Sequence, residues 1–138
     1  MNKLIAFFLS LLIGSQALAQ PFTGVGASTY RIISVNNNTG VLVADQKRVL
    51  YSIVAYNINA AVRYLKLYNK ATAPTCGTDT PVATIPLAAS AAPGGSVPLG
   101  DAGWQFPLGL GYCIVTGAAD SDTTAPAANE QFVTLGYN

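Results

Sequence analysis

The chain has 138 residues, of which only 9% are charged and none is histidine. An ordinary soluble domain devotes about a quarter of its residues to charge, and a chain without histidine lacks the commonest general base and the commonest transition-metal ligand. Seven Lys+Arg against six Asp+Glu give +1, and with Lys3 in a leader the remainder is neutral, so no electrostatic footprint for nucleic acid or anionic lipid exists.

Asn2 and Lys3 form a short positive region, Leu4 to Ile13 an apolar run broken only by Ser10, and Ala17-Leu18-Ala19 a small-x-small cleavage pattern. This layout predicts a secretory signal peptide over residues 1–19. The apolar run is too short for a spanning helix, which needs about 20 apolar residues. The sequence therefore predicts a single domain over residues 20–138 with no transmembrane helix in the mature chain.

No sustained helical period follows. Tyr30 to Val35 reads as a strand and runs into Asn36-Asn37-Asn38-Thr39-Gly40, where Asn and Gly tolerate the positive φ of a tight turn. Val41 to Ala44, Val49 to Asn57, Val62 to Asn69 and Val82 to Leu87 continue the series. Ser96 to Leu99, Gly111 to Thr116 and Gln131 to Tyr137 complete it. Pro86 and Pro98 have no N–H to give, which places their strands at a sheet edge or ends them there. Roughly seven to nine short strands separated by turn residues predict an all-β domain, an antiparallel sandwich of jelly-roll or immunoglobulin-like type.

Candidate chemistry is sparse. Serine–histidine and cysteine–histidine pairs are impossible without histidine, and no lysine sits in a Ser-x-x-Lys setting. Asp45, Asp79, Asp101, Asp120 and Asp122 all fall in turn-like sequence, where aspartate caps backbone N–H groups. Asp120-Ser121-Asp122 alternates oxygen ligands as a calcium loop does, but it lacks the central glycine and third acid of an EF-hand and reads as a polar turn. Cys76 and Cys113 are the only cysteines. In an exported chain they read first as one disulfide closing about 37 residues; the alternative is two unlinked thiols, with Cys113 a small buried hydrophobe.

The aromatic residues carry the remaining information. In Val62 to Asn69, Leu65 and Leu67 point one way, and Tyr64, Lys66 and Tyr68 the other. That second face either packs with Lys66 snorkelling outward or lies open as a contact surface. Trp104 serves as core packing or, with neighbouring tyrosines, as a sugar-stacking platform. Gly24-x-Gly26 and Gly109-x-Gly111 precede no helix pattern and are no phosphate cradle.

The runs at 59–87 and 106–137, with Tyr64 to Tyr68, Pro74 to Pro81, Gly109 to Ala118 and Asp120 to Thr124 as their distinctive pieces, resemble small β-sandwich proteins encoded among tailed-phage structural genes. The resemblance implies a virion-associated part, a capsid decoration or tail-fibre component, and brings no catalytic residue with it. Together with the leader, it predicts a non-enzymatic structural or attachment module. Such a module is secreted, periplasmic or at the cell surface, or in the virion if phage-encoded, and acts through protein partners including other copies of itself. No cofactor, metal or nucleic acid is expected. The alternative is a secreted carbohydrate-binding module whose partner is a surface glycan held on Trp104.

Overall fold

The computed structural model describes residues 28–90, 95–97, 99–100 and 102–138. The predicted leader, Pro98 and Asp101 lie outside them. Among the described residues there are nine strands: β1 (Ser28–Ile33), β2 (Val41–Ala44), β3 (Arg48–Asn57), β4 (Arg63–Asn69), β5 (Ala83–Leu87), β6 (Gly95–Val97), β7 (Trp104–Phe106), β8 (Leu110–Val115) and β9 (Gln131–Tyr137). They form two antiparallel sheets. Sheet A has the order β1-β9-β3-β6, with β7 also on β3, and sheet B the order β2-β8-β4-β5.

The pairings are nested. β1 pairs with β9, β2 with β8, β3 with β6 and β7, and β4 with β5. One long antiparallel ribbon is thus folded over so that its successive segments alternate between the sheets. The chain crosses from sheet A to sheet B after β1, so Asn36 to Gly40 is an inter-sheet connection rather than a hairpin. Turn chemistry dictates a change of direction, not the sheet to which the chain returns. Pro86 lies on β5, an edge strand of sheet B, where its missing N–H costs no ladder bond.

Alternation along the strands builds the core. From sheet B, Leu65, Leu67, Ile85, Leu110 and Ile114 face inward; from sheet A, Ile32, Leu50, Ile53, Val133 and Leu135 meet them, with Phe106 closing one side. Aliphatic burial of this kind contributes about 1.5–3 kcal/mol per side chain. Tyr30 of β1 and Tyr112 of β8 meet between the sheets in a tilted contact, 6.2 Å between ring centroids. Burial, then the neighbouring Tyr30, pushes the Tyr112 hydroxyl up to about 12. No helix among the described residues is long and apolar enough to cross a membrane.

Cys76 and Cys113 form a disulfide, with Cα atoms 6.1 Å apart, that ties the segment after β4 to β8 across 37 residues of chain. Chain-entropy arithmetic for such a loop gives about 3–4 kcal/mol, a large share of a typical margin of about 5–15 kcal/mol. We expect reduction, or the double substitution Cys76→Ser/Cys113→Ser, to lower the melting temperature by on the order of 10 °C or more. Calorimetry with and without reductant, alongside thiol counting on the unfolded, unreduced protein, checks this.

Candidate functional site

The outer faces of the two sheets are treated very differently by the chain. On sheet B, the outward residues of β4 are Tyr64, Lys66 and Tyr68, and their cross-strand neighbours on β8 are Val115, Cys113 and Gly111. This face was expected either to lie open or to let Lys66 reach solvent. Instead Lys66 and Tyr68 are both 0% exposed, so neither belongs to a contact surface, and Tyr64 is only half-buried.

Two loops cover these residues. The Lys66 ammonium donates to the backbone carbonyls of Ala119 at 2.5 Å, Asp120 at 3.2 Å and Asp122 at 3.2 Å. Its three N–H groups thereby match three acceptors that would otherwise face an apolar sheet. Tyr68 packs on the Cys76–Cys113 bridge as a small second core. Burial, then the carboxylates of Asp120 and Asp79, pushes its hydroxyl up to about 12. Gly77, at φ 80°, lets the disulfide segment lie directly against Ser121 and Thr123; a Cβ there would strike both, besides requiring the left-handed backbone that favours glycine. Lys70 donates to Asp79 Oδ2 at 2.5 Å, and Thr75 N–H donates to the same oxygen at 2.7 Å. These two bonds, the side-chain one first, hold the Asp79 carboxyl below its ordinary value. Asp122 Oδ1 accepts from Thr124 N–H at 3.0 Å. Both aspartates therefore cap backbone, as turn residues do.

One end of the molecule is fixed by a buried polar belt that sequence inspection did not single out. Ser34 Oγ donates to Ala127 O and accepts from the N–H groups of Glu130 and Gln131, each at 3.0 Å. Gln131 Nε2 donates to Asn57 Oδ1 at 3.0 Å, while Asn57 Nδ2 donates to Ala61 O at 2.9 Å and Leu87 O at 3.1 Å. Asn59 Nδ2 donates to Glu130 Oε1 at 2.8 Å, and Arg63 lies 3.8 Å from the other oxygen of that carboxylate. The only sequence signal was the presence of Ser, Asn and Gln at strand ends, which is equally the signal of an ordinary turn.

Above this belt, the outer face of sheet A is uncovered by any described residue. The register places Ile33, Phe132 and Tyr56 in one cross-strand row, and Arg31, Thr134, Val54 and Ser96 in the next. Along β3 and just past it, Val54, Tyr56 and Ile58 alternate outward and are 54%, 46% and 47% exposed. Val35, also exposed, follows Ile33 at the same end. Backbone bonds from Ile58 N–H to Glu130 O and from Asn129 N–H to Ser34 O, both 2.8 Å, hold the flanks of this row in place. The arrangement offers an apolar surface on hydrogen-bonded neighbouring strands.

Trp104 lies on β7, paired with Leu50 and packed against the core, and with Val82, Gly103, Gln105 and Phe106 it lines a depression of about 320 Å³. It is on sheet A, whereas Tyr64 and Tyr68 are on the outer side of sheet B, so Trp104 shares no surface with those two; the tyrosine beside it is Tyr51, next to its strand partner Leu50. No protein-family model, curated protein or solved structure matches this chain.

Two outcomes follow from the covered side. Lys66→Met preserves volume but strands three carbonyls, and we expect it to cost about 2–4 kcal/mol in urea unfolding, against no more than about 0.5 kcal/mol for Met at the exposed Lys47. Asp79 is a group whose folded pKa lies below its ordinary 3.8. Its contribution is complete above the unfolded value and disappears as pH falls through the lower folded value. The gap in melting temperature between wild type and Asp79→Asn should therefore be present at neutral pH and close at acid pH below the unfolded value.

Proposed function

We propose that this protein is a non-enzymatic structural or attachment module, exported to a cell surface or carried on a virion, that works through protein–protein contact. One observation carries the reading: loops roof one outer sheet face so completely that a lysine is buried, whereas no described residue covers the apolar outer face of the other sheet. An exposed apolar patch of several hundred Å² on a small domain marks an interaction site far more often than an accident of packing. Lys66 is engaged structurally under its loop and Lys70 in a surface ion pair with Asp79, which suits a scaffold. The disulfide is compatible with an oxidising compartment outside the cytoplasm.

The nested pairing of strands also matches a jelly roll rather than an immunoglobulin-like order. By analogy of fold alone, jelly rolls serve as viral capsid and lectin domains. That analogy supports the virion reading suggested by the resemblance at 59–87 and 106–137, and it admits the glycan reading too.

Fractionation of the producing culture, followed by mass spectrometry of envelope and purified particles, tests the proposal. We expect the wild type in one of those fractions and a folded Tyr56→Glu variant released from it by about ten-fold or more. Wild type found only as free protein would overturn the reading. Glycan-array binding by wild type that vanishes in Trp104→Ala would replace it with the carbohydrate-binding one.

A further inference from the structure

Resting on the contact reading above, we infer that the outer face of sheet A is a self-association surface whose occupant is a second copy of this chain, packed sheet against sheet. The apolar part of the face consists of Ile33, Val54, Tyr56, Ile58 and Phe132, with Val35 at its border. Val35, Val54, Tyr56 and Ile58 are each about half exposed and together present on the order of 350 Å² to solvent, with Ile33 and Phe132 partly buried between them. The outward side chains of Thr29, Arg31, Ser52, Ser96 and Thr134 surround them on one side. That rim, exposed throughout, enlarges the face toward the roughly 800 Å² that each partner gives to a stable interface.

Charge narrows the choice of occupant. Arg31 is the one charged residue in the rows that carry the patch. At the apolar end, the nearest ion pair, Arg63 with Glu130, already has its partner inside the molecule. An acidic partner would find only Arg31 at the rim to complement it and a basic one nothing, whereas an uncharged apolar sheet face would find the whole apolar part. The chain supplies such a surface itself. A two-fold axis across β3 sets Val54 and Tyr56 against their own copies, the self-complementary arrangement of an isologous dimer. Face-to-face sheets about 10 Å apart are the packing already used between sheets A and B. The near-zero net charge removes long-range repulsion between copies.

The face is also built to be rigid. Its rows lie on the central strands β9 and β3, and the belt of Ser34, Asn57 and Gln131 fixes the apolar end from beneath. Little ordering remains to oppose association.

Sedimentation velocity on the full exported chain, from low micromolar to about 100 µM, tests the inference. We expect a monomer–dimer equilibrium with a dissociation constant in the micromolar range, weakened at least about 100-fold by Tyr56→Glu. Leu108→Glu, at an exposed apolar residue away from the face, should leave the dimer intact. Circular dichroism and melting establish that each variant folds. As a second readout, Val54→Cys should be captured as a disulfide-linked dimer on mild oxidation, and Leu108→Cys should not. A wild type that is monomeric at about 100 µM, or a dimer lost with Leu108→Glu and kept with Tyr56→Glu, would overturn the inference. A monomer that still co-purifies with envelope or particles overturns only the second copy as occupant. A dimer found in neither fraction supports the inference while the attachment reading fails.

Discussion

The covering of sheet B depends on one interaction, the capture of three loop carbonyls by the Lys66 ammonium in the space between the sheet and the loop at 117–124. Backbone carbonyls laid on an apolar sheet without donors would each cost on the order of a hydrogen bond, and a buried ammonium without acceptors would cost more. Each makes the other tolerable. The disulfide does comparable work beside it: it pins the 70–82 segment over Tyr68 and brings Gly77 against the same loop. Sheet B is thereby packed on both faces, and the molecule has a third layer made of loops.

That third layer explains why the two sheets differ in composition and role. With sheet B sealed, its outward positions can hold residues that make sense only under cover, Tyr68, Cys113 and Lys66 among them. Sheet A receives no such roof among the described residues, yet its central strand turns Val54, Tyr56 and Ile58 outward. A sheet face meant for water alone alternates to polar residues at these positions. Here the alternation runs apolar on both sides of β3 toward one end of the molecule, above the polar belt that holds the ends of β1, β3 and β9. Rigidity and exposure coincide at that end. For a chain with so few charges, apolar contact is the strongest means of association available.

Much of the architecture was legible in the residues, because local physics governs it. β-Branched and aromatic runs separated by Gly, Pro and Asn have only strands to form, and their bounds came within a residue or two for β2, β3, β4 and β9. Pro86 announced through its missing N–H a strand at an edge or one that ends there, and β5 is an edge strand. β7 escaped notice: Trp104 to Phe106 is too short to show alternation, and it is a strand only because β3 extends far enough to pair with it. The contact surface was less legible. The pattern of β4 separates two faces, but it is silent on whether a distant loop will cover one of them.

The sequence by itself determined the class of fold, and it narrowed Pro86 to a strand edge or end and the two cysteines to one bridge or two thiols, since each follows from the chemistry of a few adjacent residues or from a count. Only the tertiary structure decided which side of each sheet meets water. Lys66 and Tyr68 carry the marks of a surface, yet Lys66 lies beneath a loop more than 50 residues further along the chain and Tyr68 beneath the disulfide-tied segment that follows β4, whereas Val54 and Tyr56 carry the marks of a core yet stand in solvent. Burial is a property of what arrives from elsewhere in the chain, and an alternating pattern fixes only that neighbouring side chains point to opposite sides.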